Sequence, residues 1–141
     1  MNIIYDNDLA VEDYINLRAS VGWTMLSEKQ AQAGISGCGF VIAAKDGNRT
    51  VGMSRVLTDG GCIAFILDVV VHPEYQGNGI GKALMQAVMN YVDTRIEVGE
   101  ISQVCLMAAK GKESFYTKFG FEERPNDKSG AGMNQWIKRE M

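Results

Sequence analysis

Apolar positions recur along this chain in short runs separated by polar, glycine-rich breaks, and their period changes from run to run. Ile3 to Tyr5 predicts a short first strand. Leu9, Tyr14, Ile15 and Leu17 return at helical spacing, with Asp6 or Asp8 placed to cap the helix start. Val21 to Leu26 reads as a loop. Ser27 can cap a second short helix over Glu28 to Ala33, and Gly34 to Gly39 then breaks the chain. Phe40 to Ala44 and Thr50 to Leu57 predict strands joined by a hairpin turn at Asp46-Gly47-Asn48. A second turn, Asp59-Gly60-Gly61, leads into an apolar run from Cys62 to Val71. Leu84, Ala87, Val88, Tyr91 and Val92 then recur with a helical period. Val104 to Ala108 predicts another strand, Lys112 to Lys118 a short helix ending at Gly120, and Met133 to Ile137 a last strand. Asn126 to Gly132 is polar and glycine-rich and predicts a mobile loop. The order β-α-α-β-β-β-α-β-α-β-β describes one α+β domain over residues 1–141. Its sheet is expected to be mixed, mostly antiparallel and flanked by about four helices.

Composition narrows the function. A length of 141 residues suits one domain, and 46% hydrophobic residues supply a core. A net charge of −3 argues against non-specific nucleic-acid or anionic-membrane binding. No apolar stretch approaches a membrane span, and the polar, acidic Met1 to Asp8 does not resemble a signal peptide. Cys38, Cys62 and Cys105 lie far apart without a CxxC and read as small buried thiols in a reducing, cytoplasmic setting. One histidine without clustered cysteines argues against a metal site. A homodimer is left open.

The most informative segment is Asp68-Val69-Val70-Val71-His72-Pro73-Glu74-Tyr75-Gln76-Gly77-Asn78-Gly79-Ile80-Gly81-Lys82. A β-branched strand stops at a proline, alternating glycines follow, and an amphipathic helix begins. Glycines let a ligand approach the backbone, and a helix start offers unpaired N–H groups and a positive dipole end. Together they make a phosphate or diphosphate site. A Walker A loop is a poor match, because Gln76 stands where its first glycine belongs and Ala83 replaces the Mg²⁺-holding hydroxyl. The dinucleotide fingerprint also fits poorly. The glycines alternate, and no strand ending in an acid is evident near Ile96 to Glu100.

Gln76-Gly77-Asn78-Gly79-Ile80-Gly81 resembles the Gln/Arg-x-x-Gly-x-Gly/Ala loop of the GNAT superfamily of acyl-CoA-dependent N-acyltransferases. Val69 to Pro73 is similar to that family's fourth strand and its exit. Phe115-Tyr116-Thr117-Lys118-Phe119-Gly120-Phe121 is similar to its later helix-to-strand segment. The resemblance implies acetyl-CoA as co-substrate, no metal, and direct attack of an amine on the thioester in a ternary complex.

It also implies roles for particular residues. Backbone groups from Gln76 and Gly77 through Asn78, Gly79, Ile80, Gly81 and Lys82 would cradle the diphosphate. The Lys82 side chain adds charge or is simply solvated. Strand N–H groups of Val69, Val70 and Val71 would pair with the pantetheine arm and polarise the carbonyl. Tyr116 would donate a proton to the leaving thiolate, its free pKa of about 10 exceeding that of a thiol; otherwise it is a core aromatic. Asp68 can hold or deprotonate the amine, or point across the sheet to a structural partner. His72 is a weaker candidate base and reads more readily as a turn residue. Trp23, Met25 and Glu28 would line the acceptor pocket, with Trp136 and the last two strands on its far side. Two acids at that end favour a small cationic amine as acceptor. A protein N-terminus or lysine, or a non-catalytic CoA-binding module, are the alternatives. The segment Ala108-Ala109-Lys110-Gly111-Lys112 lacks the Asn that many relatives use to hold the pantetheine arm.

Overall fold

The computed structural model describes residues 1–139. By contacts the chain forms two compact units, Met1–Leu106 and a second that begins at Met107. The first unit is built on a five-stranded sheet in sequential order: β1 (Ile3–Asp6), β2 (Phe40–Asp46), β3 (Arg49–Thr58), β4 (Ile63–Val71) and β5 (Gln103–Leu106). All neighbours pair antiparallel except β4 and β5, which run parallel. The sheet is thus mixed and mostly antiparallel, as the pattern predicts.

Helices cover both faces. Helix α1 (Val11–Ser20) and α2 (Glu28–Gly37) close one side, where Leu9, Tyr14, Leu17 and Ala31 pack with Ala43, Met53 and Val70. Helix α3 (Ile80–Thr94) contacts β2, β3 and β4 and buries Ile80, Leu84, Met85, Val88 and Val92. These recur at intervals that keep one face of a 3.6-residue period on the sheet. Each such aliphatic side chain contributes roughly 1.5–3 kcal/mol on burial. β3 is covered on both faces, so Val51, Met53 and Val56 are all fully buried. Gly52 lies among them because α3 leaves it no room. A Cβ there would stand 3.1 Å from Ile80 Cγ2 and 3.2 Å from Leu84 Cδ1.

Four expectations need correction. First, α1 begins at Val11 behind Ala10, which makes no side-chain cap. Asp6 instead accepts the Asp8 N–H at 3.0 Å and pairs with Lys45 at 2.9 Å, so it closes a turn before the helix. Second, α2 does start at the Ser27 cap but continues through Gly34 to Gly37. Burial of Ala31 and a hydrogen bond from Arg55 Nη1 to the Gly34 carbonyl, 3.1 Å, outweigh the glycine propensity. Third, Cys62 is exposed, and Cys38 and Cys105 are only half-buried.

The fourth correction concerns the second unit, whose helix is α4 (Glu113–Thr117). Met133 to Ile137 is not a strand, and no strand follows Phe121 among the described residues. Trp136 is 75% exposed and Met133 88%. Strand propensity is a preference for a half-buried, paired surface, and this stretch has neither burial nor a ladder partner. Within 126–132 a turn closes on Asn126, whose Oδ1 accepts the N–H groups of Lys128 and Ser129, each at 2.9 Å.

Candidate active site

The site in the first unit starts from a fork in the sheet. β4 pairs with β5 only over Ile63–Ile66, opposite Gln103–Leu106. From Leu67 onward the β5-side edge of β4 has no strand partner among the described residues. On its other edge the His72 N–H donates to the Val51 carbonyl of β3 at 2.8 Å, and Val70 pairs with Met53. Backbone groups alternate between strand edges, so those of Val69 and Val71 face the unpartnered side. A register shift lies between Met53 and Arg55, where Asp68 and Val69 together oppose Ser54. This is a β-bulge, and it re-aims the backbone at the mouth of the fork.

Strand β4 then exits through a short 3₁₀ turn, Pro73–Tyr75. The glycine loop follows, with Gly77 at φ 82° and Gly79 at φ 80°. Gly79 is the left-handed N-cap of α3, with no capping side chain and no acid in the first turn. The leading N–H groups of α3 are therefore left without a side-chain partner at its N-terminus. A Cβ at Gly77 or Gly79 would meet nothing within 4 Å, which leaves open space over the backbone. This cradle fits a diphosphate. Gln76 and Asn78 are exposed, and their side chains turn back onto the loop. Gln76 Nε2 donates to the Val71 carbonyl at 3.0 Å and Asn78 Nδ2 to that of Tyr75 at 3.0 Å, so both brace the loop. Lys82 is exposed.

The Asp68 side chain points to partners on α1 and β3. Its carboxylate accepts from Tyr14 Oη at 2.6 Å, Arg55 Nε at 2.7 Å and Arg18 Nη1 at 3.0 Å. Its side chain is 9% exposed. It is also the only described non-glycine residue at positive φ, 54°. Arg18 lies over the Trp23 ring, 5.4 Å from its centroid. Arg18 Nε is buried and has no hydrogen-bond partner among the described residues. Burial and the bond to Asp68 both push the Tyr14 phenol up. Sequence reading missed Tyr14, Arg18 and Arg55. Only the lone buried acid on a hydrophobic strand hinted at cationic partners.

His72 is a turn residue. Its Nδ1 accepts the Glu74 N–H at 3.1 Å and caps the 3₁₀ turn. Glu28 is exposed in the first turn of α2, Met25 is 66% exposed in the preceding loop, and Trp23 is half-buried against the core. Tyr116 lies on α4 in the second unit. It is buried edge-to-face against Phe115, 5.0 Å between centroids, and Phe121, 6.4 Å. Burial raises its pKa. Among the described residues no group of three or more His, Cys, Asp or Glu is placed to hold a metal. No described helix is long and apolar enough to cross a membrane.

Comparison with known proteins gives a consistent picture. The sequence model of the Acetyltransferase (GNAT) domain matches residues 36–123. An uncharacterized N-acetyltransferase, ycf52, of Pyropia yezoensis is 34% identical over 79% of this chain and 64% of its own length. A histone acetyltransferase of Glycine max, TAP1, is 30% identical over 87% of this chain and 56% of its own. The chain thus spans less than two thirds of both. Among solved structures, a Staphylococcus aureus protein described as a probable acetyltransferase superposes with a TM-score of 0.84. It is 29% identical and covers 96% of this chain and 100% of the other. A GNAT family acetyltransferase of Streptococcus pneumoniae gives 0.76 at 33% identity, over 99% and 98% of the two chains.

Proposed function

Because this chain belongs to the GNAT acetyltransferase family, we propose that it moves an acetyl group from acetyl-CoA to a primary amine by direct attack in a ternary complex. The observation that carries this reading is the open β4 edge running into an uncapped helix N-terminus. Acetyl-CoA brings an activated thioester. The N–H groups of Ile80, Gly81 and Lys82 hold its diphosphate. The N–H groups of Val69 and Val71 hold the arm and the carbonyl oxygen. A fixed N–H at a developing negative charge needs no reorganisation during reaction. Tyr116 Oη holds a proton for the departing sulfur, and its raised pKa keeps it protonated near neutral pH.

The acceptor is an amine that loses its proton before attack. Asp68 has its oxygens taken by three donors and sits between two guanidinium groups, so it gives a cation no free partner. A preference for small cationic amines therefore rests on Glu28. The name of the Glycine max relative, a histone acetyltransferase, favours a second acceptor class, an amine on a protein. Thiol release from acetyl-CoA across a panel of polyamines, amino sugars, amino acids and lysine peptides tests the reading. Turnover with at least one amine class is expected. A protein that binds acetyl-CoA yet turns over none of them, or only hydroxyl acceptors, would overturn it.

A further inference from the structure

The bulge in β4 is an unusual place for an aspartate. An extra residue at positive φ is most easily a glycine, yet here it carries a side chain that turns inward and is buried. Three donors from two elements meet that carboxylate: Tyr14 and Arg18 of α1, and Arg55 of β3. Both arginines are tied again at their far ends. Arg55 Nη1 donates to the Gly34 carbonyl of α2 at 3.1 Å, and Arg18 Nη2 to the Thr24 carbonyl of the 21–26 loop at 3.1 Å. Across the strand, Ser54 Oγ donates to the Leu67 carbonyl at 3.2 Å. The residue after Asp68 is Val69, whose backbone faces the open edge.

We infer that Asp68 is a positioning residue: its carboxylate pins the β4 bulge to α1 and β3 and thereby fixes where the Val69 N–H points. The inference rests on the acetyl-transfer reading of that edge. Tyr14, Arg18 and Arg55 act through Asp68 rather than on substrate. Chemistry explains why the residue is an acid. Three donors converge on it, and both oxygens must accept. An asparagine would turn an NH₂ toward one guanidinium and leave two cations without an anion. A glutamate would keep the charge but lengthen the tether by a methylene, which shifts the bulge.

The test uses Asp68→Asn, Asp68→Glu and the milder Tyr14→Phe, with kcat, acetyl-CoA Kd, the pH profile and amide exchange at Leu67 and Val70 measured for each. The expected result for both Asp68 variants is a kcat at least about tenfold lower. Tyr14→Phe should lower it about threefold. Acetyl-CoA Kd should rise by a smaller factor than kcat falls, because the glycine loop that would hold the diphosphate is separate from the bulge and only the Val69 contact is disturbed. Amide exchange beside the bulge should quicken, and the pH profile should keep its shape. Wild-type kcat in a folded Tyr14→Phe or Asp68→Asn protein would overturn the inference. So would full rescue by Asp68→Glu, or loss of the acidic limb of the pH profile, since a free base would behave in that way. Unchanged amide exchange in all three variants would overturn it as well. If wild-type protein fails to bind acetyl-CoA, the acetyl-transfer reading falls, while the exchange data still report on the pinning of the bulge.

Discussion

Gly52→Ala probes how the sheet seats the glycine loop. The added Cβ would stand 3.1 Å from Ile80 Cγ2, 3.2 Å from Leu84 Cδ1 and 3.3 Å from the Val70 carbonyl oxygen. Ile80 and Leu84 are 2% and 0% exposed, so neither has an empty direction in which to move. The Val70 oxygen belongs to a paired strand. Relief must come from a shift of α3 by a few tenths of an ångström. Overpacking of this kind costs about 1–3 kcal/mol. Replacing a strand glycine by alanine returns about 0.5–1 kcal/mol. The net loss is roughly 1–2 kcal/mol, or a Tm lower by about 3–6 °C for a domain of this size. Function should follow, because Ile80 is the first residue of α3 and adjoins the Gly79 cap. If about 0.5 kcal/mol of the shift reaches the cradle, acetyl-CoA Kd rises about twofold. Thermal denaturation and a titration of acetyl-CoA measure both effects. Gly37→Ala is the control: it closes α2 with nothing within 4 Å of its Cβ, so it should leave Tm unchanged or raise it. A Gly52→Ala protein with unchanged Tm and Kd would refute the packing argument.

Other outcomes follow from the same geometry. Gly79→Val should abolish the rise in Tm that acetyl-CoA gives, since a branched residue at φ 80° strains the cap and fills the open space above it; retained binding by a folded variant would place the cradle elsewhere. Tyr116→Phe should lower kcat by about 10²-fold with little change in acetyl-CoA affinity, and an unchanged kcat when chemistry limits turnover would leave it a core aromatic. Glu28→Gln should raise KM for polyamines more than for neutral amines, which a panel of acceptors reads directly. Stability should fall in alkaline solution. Folding raises the phenol pKa of Tyr14 and Tyr116 above the unfolded value of 10.0. The resulting stabilisation is fully present below pH 10 and is lost as pH rises through the folded values. Urea denaturation at pH 8 and pH 11 checks the sign, and equal stability at both would contradict it.

The sheet was legible where pattern and partner agree. β2, β3 and β4 carry apolar runs bounded by Asp-Gly turns, and α3 carries an apolar stripe of period 3.6, so local and tertiary preferences point the same way. The misreadings occur where a distant contact decides. Gly34 reads as a breaker until Arg55 is placed against its carbonyl. Met133 to Ile137 reads as a strand until it is found exposed and unpaired. Periodicity reports which residues favour burial, and it carries no information on whether a partner arrives.

The candidate site divides along the same line. The glycine loop is a local device: strand, turn and helix start are contiguous, so both its position and the anion chemistry proposed for it can be read from a dozen residues. The fork between β4 and β5 is a non-local one, set by where the pairing of two distant segments stops. Asp68 shows the difference most clearly. In the sequence it is an acid beside the reacting strand, which suits a base or a cation site. In the structure its three donors come from residues 54, 50 and 13 positions away along the chain. A carboxylate with both oxygens occupied by two guanidinium groups and a phenol is tied to distant parts of the chain, and it is well suited to hold a strained backbone in place. The charge that makes an acid look catalytic in a sequence is, in this fold, what makes it an anchor.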